Sequence, residues 1–189
     1  LPTLVPGSGS AKTTELWAYA RDDRTFGGSG PLMVAYRSKD SRSAECAARR
    51  LNGYRGILQV DGYAAYNKLA RPDRANDGIT LAGCWSHNRR KFYELHVAGS
   101  SKVTITTVER MAKLWQVEKI GRGRSPRRTR YRALASLRGV VADIFDRWRH
   151  TLRRIPGKSK LAQAIRYAVS RRSLFERFLT DGALSSTPT

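Results

Sequence analysis

The residue best placed to do chemistry is Asp61. It stands in Val60-Asp61-Gly62-Tyr63, directly after the apolar run Gly56-Ile57-Leu58-Gln59-Val60. A short apolar run of this kind reads as a buried strand. In open α/β sheets, chemistry gathers at the carboxyl ends of strands. Gly62 lets the backbone turn away, which leaves the carboxylate to face a cleft. A hard cation such as Mg2+ takes one or two carboxylates and keeps water and phosphate oxygens for its other positions. Two such ions about 3.5–4 Å apart activate a water or a 3′-hydroxyl and stabilise the leaving oxygen. The plainer alternative is that Asp61 caps a turn, because Asp-Gly is a common turn pair.

Cys84-Trp85-Ser86-His87 has the spacing of half a zinc site. A structural zinc needs four ligands, and no second pair matches, since Cys46 and the other histidines are scattered. Cys84 therefore reads as a buried strand residue. His87 is either a structural histidine or a contact to phosphate in the active cleft. Asn88-Arg89-Arg90-Lys91-Phe92 follows with three cations at the start of a helix. Arginine forks match phosphate geometry, and helix N-termini attract anions. The alternative is a solvated charged face. Phe92 and Trp85 read as core residues rather than base-stacking platforms. The densest basic stretch holds Arg122, Arg124, Arg127, Arg128 and Arg130. It suits contact with a DNA backbone without sequence reading, or else an exposed linker. Asp22 and Asp23 are no metal pair, because adjacent strand residues point to opposite faces.

These residues need elements to position them. Residues 1–14 read as a loop, and residues 15–22 and 32–37 as two strands of a hairpin across a glycine-rich turn. Ser41 or Ser43 caps a helix through Asn52, with Ala44, Ala47, Ala48 and Leu51 on its buried face. Residues 56–60 are the strand ending at Asp61, and residues 64–69 a short helix. Residues 71–78 read as a turn and residues 79–85 as another buried strand. His87 to His96 is a helix. Beyond about residue 104 the pattern is helical throughout. Thr107–Ile120 is one helix. A second is capped by Ser125, with Pro126 in its first turn. It runs to about Arg154 and carries Leu134, Leu137, Val141, Ile144, Phe145 and Trp148 on one face. The last runs from Ser159 to Thr180 and buries Leu161, Ile165, Ala168, Leu174 and Phe178. The expected architecture is an α/β core over residues 1–100 followed by helices over 101–183.

Composition limits what such an assembly does. Hydrophobic residues at 40% and charged residues at 27% fit a globular chain rather than a disordered one. No apolar run approaches the roughly 20 residues of a membrane helix. Two cysteines are too few for a disulfide scaffold, which suits a reducing cytoplasm. Lys and Arg total 36 against 15 Asp and Glu, a net charge of +21. Residues 1–100 carry 15 basic and 9 acidic side chains, and residues 101–189 carry 21 and 6, so the excess sits in the second half. A polyanion such as nucleic acid shares that charge through counterion release.

Four segments together resemble the insertion-sequence-66 family of transposases. They are Leu16-Trp17-Ala18-Tyr19 with Arg21-Asp22-Asp23-Arg24; Gly56 through Tyr63 with Ala65-Tyr66-Asn67; Cys84-Trp85-Ser86-His87 with Arg89-Arg90-Lys91-Phe92; and Ala164-Ile165-Arg166-Tyr167 with Arg177-Phe178-Leu179 and Asp181-Gly182. The likeness runs in order through about residues 1–183. It implies a ribonuclease-H-like mixed sheet with a helical appendage. It also implies Mg2+-dependent cutting and joining of DNA at insertion-sequence ends by an Asp-Asp-Glu triad. Asp61 matches the second Asp. The first would lie upstream of Leu1. The Glu would follow Asp181-Gly182, where the tail Ala183-Leu184-Ser185-Ser186-Thr187-Pro188-Thr189 carries no acid.

The expectation is a truncated transposase, with residues 184–189 as a divergent tail and one triad carboxylate of three. Such a chain would be inactive by itself. Its partners would be DNA and either itself or a full-length transposase, in the bacterial cytoplasm with no membrane contact. Rival expectations are a nonenzymatic basic DNA-binding fragment, an RNA-binding protein of similar charge, and an inactive pseudogene product.

Overall fold

A computed structural model describes residues 2–4, 7, 9, 11–13, 15–22, 30–39, 43–69, 78–121 and 127–180. Its strands are β1 (Pro2–Leu4), β2 (Ala11–Thr13), β3 (Glu15–Arg21), β4 (Met33–Lys39), β5 (Gly56–Val60) and β6 (Ile79–Gly83). Its helices are α1 (Ala44–Arg50), α2 (Trp85–Ala98), α3 (Lys102–Gly121), α4 (Arg127–Leu152), α5 (Lys160–Val169) and α6 (Arg172–Glu176). Short 3₁₀ turns lie at Ala64–Lys68 and Arg177–Leu179.

The class is α/β. Among the described residues the strands form three two-stranded sheets, β1-β2, β3-β4 and β5-β6, rather than one mixed sheet. The first two are antiparallel hairpins. The third is parallel: the Gly56 N–H donates to the Gly78 carbonyl at 2.7 Å, and the Cys84 N–H donates to the Val60 carbonyl at 3.0 Å. The β1-β2 pair replaces part of the loop expected over residues 1–14. Its proline- and glycine-containing sequence hides strands only three residues long.

The chain divides into two compact units. The first holds β1 to β4, α1 and the 3₁₀ turn after β5. In its main hairpin Trp17 faces Arg37 and Tyr19 faces Ala35. Trp17 and Tyr19 are half-buried, while the alternating Leu16, Ala18 and Ala20 are exposed, as period two requires. Trp17 stacks on Tyr19 and meets the edge of Tyr66. Helix α1 starts where Ser43 accepts a hydrogen bond from the Cys46 N–H, which selects Ser43 over Ser41 as the cap. Of its expected apolar face only Ala47 is fully buried.

The second unit carries the large core. Trp85 and Phe92 on α2 are fully buried, as are Met111 and Leu114 on α3. Val141, Ile144, Phe145 and Trp148 on α4 join them, with Ile165 and Ala168 on α5. Phe92 stacks flat on Trp148 with centroids 4.9 Å apart, and the edge of Phe145 meets Trp148 at 5.2 Å. Each side chain of this size contributes about 1.5–3 kcal/mol by leaving water. The two indole N–H groups are satisfied inside the core. Trp85 donates to the Phe175 carbonyl at 2.9 Å, and Trp148 donates to the Thr107 hydroxyl at 3.2 Å.

Three boundaries differ from expectation. Helix α2 starts at Trp85 rather than His87, because the Cys84 sulfur accepts the His87 N–H and ends β6. Helix α3 starts five residues before Thr107. Ser101 and Thr104 cap each other reciprocally: the Thr104 N–H donates to the Ser101 hydroxyl, and the Ser101 N–H donates to the Thr104 hydroxyl. The β-branched run from Val103 had obscured that start. The last helix is broken after Val169. The Ser170 hydroxyl donates to the Tyr167 carbonyl and the Arg171 N–H turns back to Ala168, so α5 closes and α6 begins afresh. That break puts Phe175 in the core and leaves Leu174 half-buried. Ser125 and Pro126, read as the start of α4, lie outside the described residues, as do residues 71–77. The side chains of Ile120 and Leu134 are outside them too.

Candidate active site

Asp61 is the first residue beyond β5 and is exposed. Gly62 follows with a φ of +85°, a conformation that resists any side chain. The backbone therefore turns at the strand's carboxyl end, as the sequence suggested. Behind it, Val60 is buried and its carbonyl is held by the Cys84 N–H, which fixes the end of β5 against the start of α2.

Two helices of the same unit bring side chains to Asp61. From α5, the Tyr167 hydroxyl donates a hydrogen bond to the Asp61 main-chain carbonyl. From α2, His87 lies with its ring centroid 6.3 Å from that of Tyr167. Lys91, one helical turn on, holds its ammonium 4.7 Å from the centroid of the Tyr167 ring. Arg171 places its guanidinium 4.5 Å from the same centroid and donates to the Tyr167 carbonyl at 3.3 Å.

The electrostatics follow from this company. Burial pushes the His87 pKa below its ordinary 6.5, Lys91 and Arg90 push the same way, and Asp61 and Glu94 oppose them. The imidazole is neutral at pH 7, able to accept or donate one proton. Burial raises the Tyr167 pKa, Arg171 opposes that, and Asp61 and Cys84 add to it. The phenol thus stays protonated and remains a donor.

The three cations expected at the head of α2 have separate surroundings. Arg89 lies over the rings of Tyr93 and Trp115 at 5.3 and 5.5 Å. Arg90 is exposed and pairs with Glu94 at 2.8 Å. Lys91 lies against the Tyr167 ring. Arg127, Arg128 and Arg130 lie in the first turn of α4 with side chains outside the described residues, and Arg122 and Arg124 lie wholly outside them. Asp22 follows β3, and Asp23 is outside the described residues.

Neither metal reading is met by a donor cluster. Cys84 and His87 are joined by the cap hydrogen bond, and both cysteines are free thiols. Among the described residues no group of three His, Cys, Asp or Glu gathers that would hold a metal ion. The Tyr167 phenol that holds the Asp61 carbonyl has a neutral imidazole and two cations about its ring. That set does not fit a two-ion centre.

A family model described as "Transposase IS66 family" matches residues 1–187. The chain belongs to the IS66 transposase family. It is 49% identical to the uncharacterized protein y4qI of Sinorhizobium fredii over 187 residues, which covers 97% of this chain and 35% of that protein. The uncharacterized protein y4jD of the same organism is 37% identical over 190 residues, covering 97% of this chain and 36% of its own length. The chain thus spans about a third of the length of the curated relatives it matches. No solved structure matches it. No helix among the described residues is long and apolar enough to cross a membrane.

Two residues of this cluster, Tyr167 and Arg171, are not singled out by sequence reading. Tyr167 was present only as part of the fourth resembling segment. Arg171 stands four residues later, the helical spacing at which a cation covers an aromatic ring. That spacing was the available signal.

Proposed function

We propose that this chain is the central part of an IS66 transposase catalytic region with a ribonuclease-H-like core over residues 1–100 and a helical appendage over 101–183. In this reading Asp61 is one of the metal-binding carboxylates that act in Mg2+-dependent cutting and joining of DNA at insertion-sequence ends. The observation that carries it is the placement of Asp61. It follows a parallel strand, at a turn that Gly62 makes, and its carbonyl accepts from the Tyr167 hydroxyl of α5, around whose ring His87, Lys91 and Arg171 gather. DNA is the partner, held through its phosphates by α2 and by the basic stretch from Arg122 to Arg130.

The same surroundings limit what the chain does unaided. An in-line displacement at phosphorus needs both ions held in place. Asp61 is one carboxylate among cations, so we expect no strand transfer by this chain. The experiment is a strand-transfer assay with labelled element ends and Mg2+ or Mn2+. No product is the expected result. Joined product that disappears in Asp61→Ala would overturn the proposed inactivity and support the role of Asp61. A salt titration of duplex binding accompanies it. Affinity should fall steeply with salt, with little sequence preference, as phosphate contacts dictate.

A further inference from the structure

Lys91 and Arg171 come from different helices, α2 and the turn after α5, yet both lie against one aromatic ring. Tyr167 is half-buried, and so are the two cations. Neither cation is paired with a carboxylate among the described residues. By contrast, nearby Arg90 is paired with Glu94 and nearby Arg172 with Glu176. The ring holds the Lys91 ammonium and the Arg171 guanidinium themselves; Arg171 Nη1 donates to the Tyr167 carbonyl and the Ser170 hydroxyl, and its other N–H groups remain to meet a ligand with the ammonium. The Tyr167 phenol ties this arrangement to the backbone of Asp61. Two cations with no carboxylate partner among the described residues, set on one ring, suit a compact anion, since an arginine fork and an ammonium together match phosphate oxygens.

We infer that Lys91 and Arg171, braced on the ring of Tyr167, form a seat for a single DNA phosphodiester beside Asp61. The inference rests on the reading of Asp61 as an active-site carboxylate for its meaning, but the seat binds without metal. Tyr167 is a positioning residue here. Its ring holds the cations and its hydroxyl holds the Asp61 backbone at a fixed place relative to them.

The test titrates the full chain, without divalent metal and at low salt, with the dinucleotide thymidylyl-3′,5′-thymidine. The readout is the amide resonances of Gly62 and Tyr167. Both should shift. Lys91→Gln and Arg171→Gln should each weaken the dinucleotide by at least about tenfold, the scale of one lost charge-assisted hydrogen bond. Lys102→Gln, an exposed cation on α3, should leave the affinity unchanged. Lys91→Arg should largely restore it, which a merely structural lysine would not require. If Arg171→Gln does not fold, Lys91→Gln decides by itself, because Lys91 makes no side-chain hydrogen bond among the described residues. Equal affinity in Lys91→Gln and Lys102→Gln would overturn the seat. So would equal shifts from thymidine, which lacks the phosphate. Line broadening of the Asp61 amide by Mn2+ is measured separately. Its absence would count against the metal role of Asp61 and leave the phosphodiester result standing.

Discussion

The hydroxyl of Tyr167 donates to the main-chain carbonyl of Asp61, two residues 106 positions apart in the sequence. The bond joins α5 to the first residue beyond β5. It uses the backbone carbonyl of Asp61 rather than its side chain. Because burial and the Asp61 charge both raise the Tyr167 pKa, the phenol keeps its proton through the neutral range.

Tyr167→Phe should therefore loosen Asp61 without dismantling the core. The ring remains, so the contacts with Lys91 and Arg171 remain. Only the donor is lost, and one such bond is worth about 0.5–1.5 kcal/mol. Urea unfolding should show a loss of that size, and amide exchange should quicken at Asp61 and Gly62 more than in α4. Uniform quickening throughout the second unit would mean the bond is global support rather than a local tether.

His87 should make stability depend on pH. Its folded pKa is below the ordinary 6.5, so between the two values the unfolded chain binds the extra proton. Stability is then lost as pH falls from about 6.5 towards the folded value, and regained as pH rises. His87→Gln should flatten the urea midpoint across that window. An unchanged pH profile in the variant would assign the dependence to another group.

Much of the scaffold was legible because short-range physics made it. The apolar run from Gly56 to Val60 was bounded by Gly62 on one side and Gly53 on the other, and β5 has those limits. The spacing of Leu137, Val141, Ile144, Phe145 and Trp148 marked one helical face, and all five are buried. What stayed hidden was set by contacts without a common sequence signature. Cysteine is not a usual helix cap, so Trp85 was read into the strand rather than onto α2. The break between α5 and α6 comes from Ser170 and Arg171 bonding back to the preceding turn, which no proline or glycine announces. At the site, Asp61, His87 and Lys91 were chosen by type and position. Tyr167 and Arg171 were not, since only the fold brings α5 to the end of β5.

Gly83 marks the join between β6 and the helical core. A Cβ built there would stand 2.8 Å from a ring carbon of Phe175, too close for a real contact. Phe175 is fully buried and packs on Trp85 with centroids 5.2 Å apart, so it has little room to retreat. Gly83→Ala should cost about 1–3 kcal/mol through this overpacking. Pairing it with Phe175→Leu should recover part of the loss in a double-mutant cycle. If the two losses simply add, the crowding lies elsewhere.

Asn88 is the opposite case, a buried polar group without the kind of partner that buried Thr107 finds in Trp148. It falls on the same face of α2 as Trp85 and Phe92, is 0% exposed, and neither amide atom has a hydrogen-bond partner among the described residues. Mutational data put the cost of such burial at about 1–3 kcal/mol. Replacing the amide by an apolar group with the same heavy-atom count and branching removes that cost. Asn88→Leu should therefore raise the urea midpoint, by about 1 kcal/mol of stability. Asn88→Asp should do the reverse, because a carboxylate there would be buried without a partner. The decisive comparison is between these two, since both keep four side-chain heavy atoms branched at Cγ. A Leu variant less stable than the parent would mean that the amide is satisfied, and that Asn88 is part of the support for α2 rather than a burden on it.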